Sequence, residues 1–202
     1  MVVTKTRITA DEYLAMGEDP QARRSQLIDG AIVMNEPKPW HQRAVTAIVI
    51  ALGVWERGGS DRGFVCLSLD IKRDEYNVYA PDALWYAPGR APALDAPRPY
   101  PPPDLVVEVR SPTTWRLDIG TKKTGYEAMG VRELWLVDFT SMLVFRRSTA
   151  KQPDFDVSLE LAPEETLTSP LLPGFELPLG GLYPAHRGQG AGTEVDVRSR
   201  SA

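Results

Sequence analysis

The stretch Pro102-Pro103-Asp104-Leu105-Val106-Val107-Glu108-Val109-Arg110-Ser111-Pro112 decides how this chain is read. Leu105 to Val109 make a continuous, mostly β-branched run without alternation, the pattern of a strand covered on both faces. Glu108 interrupts it. A carboxylate set among aliphatic neighbours loses hydration worth on the order of several kcal/mol unless a cation or a hydrogen-bond donor replaces the water. A divalent metal would be such a replacement, and it would require further oxygen ligands from elsewhere in the chain.

Downstream of this strand, residues 117–129 read as a helix ended by Gly130. Residues 132–138 and 142–145 then read as two more buried strands. Strand, helix and strand in that span fit a crossover with parallel strands. Upstream, residues 87–103 form a Pro-rich stiff connection. Before it, 64–71 alternates with period two and 78–86 is a second apolar run, so the two are expected to pair antiparallel. Pro81 inside the second run requires an edge or a bulge, which places Asp82 where regular pairing breaks. Asp82 then either points at a site or is a strand-end acid in water.

Nearer the start, Thr9 with Glu12 predicts a capped short helix over 9–17, and Asp29-Gly30 predicts a hairpin turn within 26–33. Residues 40–57 predict a largely buried helix whose end is marked by Gly58-Gly59. His41 in its first turn is open to two readings, a capping or surface group and a group facing a bound phosphate. Residues 154–161 suggest a last strand, and Leu171 to Leu177 a segment packed across the body. Antiparallel pairs followed by one crossover point to an α/β fold with a mixed sheet. One domain over 1–183, followed by a disordered tail over 184–202, is the expected organisation.

The composition, 43% hydrophobic and 25% charged, is that of an ordinary globular protein and argues against wholesale disorder. No run approaches the roughly 18 apolar residues that span a bilayer, so no membrane partner is expected. The polar opening residues lack a signal-peptide core, and a cytoplasmic location is expected. Cys66 is the single cysteine, which excludes an internal disulfide and a cysteine-built zinc site. A net charge of −4 speaks against tight non-specific DNA binding, though not against a nuclease whose acids hold Mg²⁺. No aromatic platform or reader helix stands out.

Asp82 and Glu108 on separate strands, with water and a substrate phosphate, are natural ligands for Mg²⁺, with Mn²⁺ as a substitute. Asp118, Lys122 and Tyr126 at i, i+4 and i+8 share a helix face. If that face looks onto the strand end, Lys122 is placed to stabilise charge on an attacked phosphate; otherwise Asp118 and Lys122 are a solvated surface pair. Asp104 points to the same strand face as Glu108 and is an auxiliary ligand or a strand-start acid.

Ala80-Pro81-Asp82, the segment from Pro103 to Pro112, Asp118 with Lys122 and Tyr126, and Gly130-Val131-Arg132-Glu133-Leu134-Trp135-Leu136-Val137-Asp138 together resemble the Uma-type restriction endonucleases, a branch of the PD-(D/E)XK nuclease superfamily. Leu27-Ile28-Asp29-Gly30, His41 and Leu172-Pro173-Gly174-Phe175 extend the resemblance. It implies a restriction-endonuclease-like core of mixed sheet flanked by helices, Mg²⁺-dependent hydrolysis of DNA, and a homodimer. By that pattern Asp82 and Glu108 are the metal-binding acids and Lys122 the catalytic lysine, moved onto the helix. Two positions depart from the pattern. Arg110 stands two residues after the acid, where a lysine is usual, and it cannot act as a base. Gln26 stands where an acid often precedes Leu-Ile-Asp-Gly; it and Asp118 would be supporting groups. Two other accounts remain open: an inactive nucleic-acid- or protein-binding module on the same fold, and a structural dimer in which Glu108 is paired with Lys122 or Arg110.

Overall fold

The computed structural model describes residues 7–17, 25–112 and 114–183; the expected tail lies outside them. Its centre is a six-stranded mixed sheet in the order β10-β9-β8-β7-β6-β3. The strands are β3 (Phe64–Leu67), β6 (Ala83–Tyr86), β7 (Leu105–Val109), β8 (Glu133–Val137), β9 (Met142–Arg146) and β10 (Val157–Leu161). Only β7 and β8 run parallel, in register from Leu105↔Glu133 to Val109↔Val137, and the connection between them is helical, as a parallel pair requires. A four-stranded antiparallel sheet, β2-β1-β5-β4, is built from β1 (Ser25–Ile28), β2 (Ala31–Met34), β4 (Ile71–Asp74) and β5 (Asn77–Tyr79). A small hairpin of β11 (Thr166–Thr168) and β12 (Glu176–Pro178) completes the β structure among the described residues.

The two apolar runs expected to form one antiparallel pair do pair, but they are divided between the sheets. Ile71 pairs with Tyr79 in the four-stranded sheet, and Leu67 pairs with Ala83 in the six-stranded one. The division falls at residues 68–70 on one run and at Ala80-Pro81-Asp82 on the other, because Pro81 has no N–H to continue a ladder. Asp82 therefore sits at the junction of the two sheets.

The hairpin at Asp29-Gly30 forms as expected, with both residues at positive φ (51° and 76°), the geometry of a two-residue turn matched to strand twist. Helix α1 (Ala10–Ala15) starts at Thr9, whose side chain and that of Glu12 cap each other's backbone N–H. Helix α2 (Pro39–Arg57) ends at Gly58, which stays right-handed (φ −76°). The left-handed residues come later, at Asp61 and Gly63, so the reversal after α2 is made there and not at Gly58-Gly59.

Side-chain alternation on β7 separates two cores. Leu105, Val107 and Val109 face α2 and the β11–β12 hairpin, together with Ile48, Leu52, Trp55, Trp85 and Trp135. Phe175, from the segment expected to pack across the body, stacks on Trp135 (centroids 5.8 Å apart) and meets Trp55 edge-on at 6.3 Å. Val106 faces the opposite side with Tyr79, Tyr126, Leu134 and Leu136. Glu108 shares the parity of Val106 and so points away from α2, toward the crossover helix.

Gly63 marks the tightest approach of this frame. A Cβ there would lie 2.1 Å from the Tyr86 carbonyl oxygen, and φ is +77°. Gly63→Ala is expected to cost about 2 kcal/mol or more, seen as a lower urea midpoint with unchanged m-value.

Candidate active site

The crossover between β7 and β8 is one continuous helical segment of three parts: α3 (Trp115–Leu117), a π-helical turn (Asp118–Lys122) and α4 (Lys123–Ala128). A π-turn widens the helix locally and is frequent at functional sites. Met129 caps α4, and Gly130 follows at φ +83°, as the sequence leads one to expect. Gly125 lets α4 settle onto the four-stranded sheet, since a Cβ there would lie 2.5 Å from the Tyr79 ring.

This helix delivers the partner of Glu108. Lys122 is fully buried, with Nζ 2.5 Å from Glu108 Oε1 and 3.0 Å from Asp118 Oδ1. Tyr126 donates its hydroxyl to the same Oε1 at 2.5 Å. Behind them, Thr114 Oγ1 donates to Asp118 Oδ2 at 2.9 Å and lies 2.8 Å from Ser111 Oγ. The chain of contacts therefore runs unbroken from Ser111 through Thr114, Asp118 and Lys122 to Glu108 and Tyr126. A solvated surface pair is not what Asp118 and Lys122 form; both are buried.

Burial pushes the Glu108 carboxyl up to about 8, against the pull of Lys122, and the nearby Asp118 and Asp82 carboxylates push it further in the same direction. For Lys122, burial alone would lower the pKa, but Asp118 and Glu108 outweigh it and hold the ammonium charged. One cation is thus shared between two buried carboxyls, with a third close by.

Asp82 approaches from β6. The β6–β7 ladder ends at Ala83↔Val107; the Asp82 N–H bonds the Val107 carbonyl at 3.1 Å, so the register shifts at Asp82, whose carboxylate lies close enough to Glu108 for its charge to act on that group. Its Oδ2 accepts the Val109 N–H at 2.7 Å, taking the place of a ladder carbonyl, and lies 3.2 Å from His41 Nε2. His41 is buried, not a surface cap. Together with Asn35, Gln42, Ser68 and Asp82 it lines an open cavity of about 460 Å³.

The remaining candidates take other positions. Gln26 is buried on β1 and accepts the Ala80 N–H at 3.4 Å, bracing the junction two residues from Asp82. Arg110 turns to Asp138 (2.7 and 2.9 Å) and not to Glu108. Asp104 lies at the far end of β7, where it accepts the Ala87 N–H at 2.8 Å and meets Arg90 at 2.9 Å, so the structure does not bring it to Glu108. Glu133, which the sequence did not single out, is a second buried strand acid; Arg146, Trp135 and Ser169 all contact it. The Cys66 thiol is pushed up to about 12 by burial, which makes it an inert group.

No group of three or more His, Cys, Asp or Glu placed to hold a metal occurs among the described residues. The two neighbouring acids nevertheless fit a hard cation. The described bonds fall on Oε1 of Glu108 and Oδ2 of Asp82, leaving Oε2 and Oδ1 as oxygen donors. Mg²⁺ commonly takes one or two protein carboxylates and completes its shell with water and phosphate.

Lys122→Met removes the shared cation while keeping the length of the side chain. It leaves Glu108 and Asp118 buried together, at an expected cost of about 3–5 kcal/mol near pH 8. The folded variant then retains a proton that the unfolded chain releases, so its stability falls as pH rises and the deficit shrinks toward pH 5. Urea denaturation at the two pH values measures this.

The fold is similar to the crystal structure of "a putative nuclease belonging to DUF820" from Anabaena variabilis ATCC 29413, with a TM-score of 0.72 at 20% identity, covering 87% of this chain and 97% of that one. At such identity the likeness is one of fold. No curated protein matches the chain. The Uma2 family, described as "Putative restriction endonuclease", matches residues 10–180. That match spans both sheets, the crossover helix and every residue of the Asp82–Glu108–Lys122 cluster, and the chain belongs to the Uma2 family.

Proposed function

We propose that this protein is a Mg²⁺-dependent DNA endonuclease, with Asp82 and Glu108 holding the metal and Lys122 as the catalytic cation. The observation that carries the reading is the meeting of two acids at the end of β7, Glu108 paired with the buried, charged Lys122 and Asp82 bonded to the N–H of the adjacent Val109. Membership of a restriction endonuclease family supports a nucleic-acid substrate.

Each residue then has a definable task. Asp82 is held in one orientation by the Val109 N–H and His41, and Glu108 by Lys122 and Tyr126. A bound divalent metal supplies Lewis-acid polarisation of the phosphodiester. Lys122, fully buried beside Glu108, acts as a fixed cation that offsets negative charge developing on phosphorus oxygens. Asp118, fixed by Thr114, keeps Lys122 in place when Glu108 turns toward the metal. Hydrolysis adds the oxygen of water to phosphorus, and the released alcohol oxygen takes up a proton.

The Glu108–Lys122 ion pair is also the one named for the structural dimer, and it suits the inactive binding module as well, because it satisfies the buried acid without a metal. Plasmid DNA incubated with the protein and Mg²⁺ or Mn²⁺ separates the two readings. Nicking or linearisation is expected, with loss of at least about 100-fold in Glu108→Ala, Asp82→Asn and Lys122→Met and complete loss in EDTA. Cleavage that survives both acid substitutions overturns the assignment, whereas binding without cleavage by the unaltered protein favours the module.

A homodimer in the cytoplasm belongs to the same proposal. Ile50 and Val54, one turn apart on the outer side of α2 and 58% and 62% exposed, support a second copy covering that face. No helix among the described residues is long and apolar enough to cross a membrane.

A further inference from the structure

Three aromatic residues far apart in sequence meet at the edge of the candidate active site. Trp40 opens α2, Trp115 opens α3, and Phe139 follows β8. The Trp40 and Phe139 rings lie 4.7 Å apart between centroids, tilted by 49°. The Arg110 guanidinium lies over Phe139 at 5.1 Å and over Trp115 at 5.3 Å, so one cation joins the rings into a continuous surface. Asp138 fixes this arrangement from below, accepting from Arg110 and from the Phe139 N–H.

Two properties suggest a ligand. Phe139 is 49% exposed, while Trp40 and Trp115 are half-buried. The cluster is also joined to the acids through single residues. Trp40 precedes His41, which contacts Asp82; Arg110 follows Val109, whose N–H is bonded to Asp82, and stands two residues from Glu108.

We propose that this surface stacks unpaired bases of a DNA strand next to the carboxylates, so that single-stranded or locally opened DNA is the substrate class. The proposal rests on the nuclease reading and adds the strand state that the site takes. Charge favours it. With a net charge of −4 and the Arg110 guanidinium already matched by Asp138, counterion release contributes little on either form of DNA, and the difference between them falls to stacking. Stacking on aromatic rings needs no charge, tolerates any base, and is open only to bases whose faces are free. In a duplex those faces are covered by neighbouring pairs.

Fluorescence anisotropy of labelled oligothymidylate and of a labelled duplex, with the full chain in EDTA, tests the surface apart from cleavage. The single strand is expected to bind more tightly than the duplex. Phe139→Ala should weaken single-strand binding roughly 5- to 100-fold, the effect of losing one stacked base. Phe139→Trp should keep the affinity and Phe139→Leu should not, which separates stacking from general packing. Leu94→Ala, at a fully exposed apolar residue elsewhere, should change nothing. Equal affinity of Phe139→Ala and the parent protein, equal or tighter binding of the duplex, or no single-strand binding overturns the proposal. DNA cleavage that is indifferent to Phe139 and to strand state likewise overturns it and leaves the nuclease reading intact. Phe139-dependent single-strand binding without cleavage supports the surface and overturns the nuclease reading alone.

Discussion

Lys122, buried between Asp118 and Glu108, is the constraint on which the candidate site depends. An ammonium removed from water is tolerable only where carboxylates replace its hydration, and buried carboxylates are tolerable only where a cation or donors do the same. Each group is therefore the condition for the others. The strand, the π-turn and α4 are tied together by this mutual requirement and not by apolar contact alone, since Tyr126 belongs both to the polar chain and to the core with Tyr79 and Val106. Such an arrangement keeps a charged lysine ready beside two acids without exposing it to solvent.

The same geometry accounts for Arg110. In the nuclease pattern that the sequence resembles, a lysine stands two residues after the acid on the strand. The cation beside Glu108 is Lys122 of the helix, and the strand position carries Arg110. A guanidinium suits it: planar, always charged, and able to lie against rings while its nitrogen bonds a carboxylate. Arg110 does both, with Asp138 on one side and Trp115 and Phe139 on the other.

Much of this was legible in the sequence because it is local. The apolar run around Glu108, the Thr9–Glu12 cap, the Asp29-Gly30 turn and the stop at Gly130 are each set by a few adjacent side chains, and the helical spacing of Asp118, Lys122 and Tyr126 correctly put them on one face. Pro81 marked the break at Asp82, since a missing N–H ends a ladder in any context. What was hidden is what tertiary packing decides. Nothing local says that 64–71 must divide between two sheets. Nor does spacing distinguish Glu108 from Glu133, both acids in buried parallel strands; only the identity of their neighbours does. A π-turn leaves no mark in the apolar pattern, and the meeting of Trp40, Trp115 and Phe139 depends on three elements closing on one point. The resemblance to a nuclease family supplied the long-range pairing of Asp82 with Glu108 that the residues alone only suggested.

The approach of those two acids is set by the bonds that Asp82 makes to β7, its N–H to the Val107 carbonyl and its Oδ2 from the Val109 N–H, not by the chain that joins the strands. The long Pro-rich connection between the strands makes none of those bonds; it is pinned elsewhere, by Arg98 to Asp70 and by the Tyr100 N–H to the Asp70 carbonyl. A slip of one residue within β7 is another matter. It would carry Glu108 through the sheet to the α2 side, into the tryptophan core, and bring Val107 or Val109 to Lys122. Changes of length in this excursion have the Arg98–Asp70 anchor to preserve, while the five residues of the strand itself have almost no latitude.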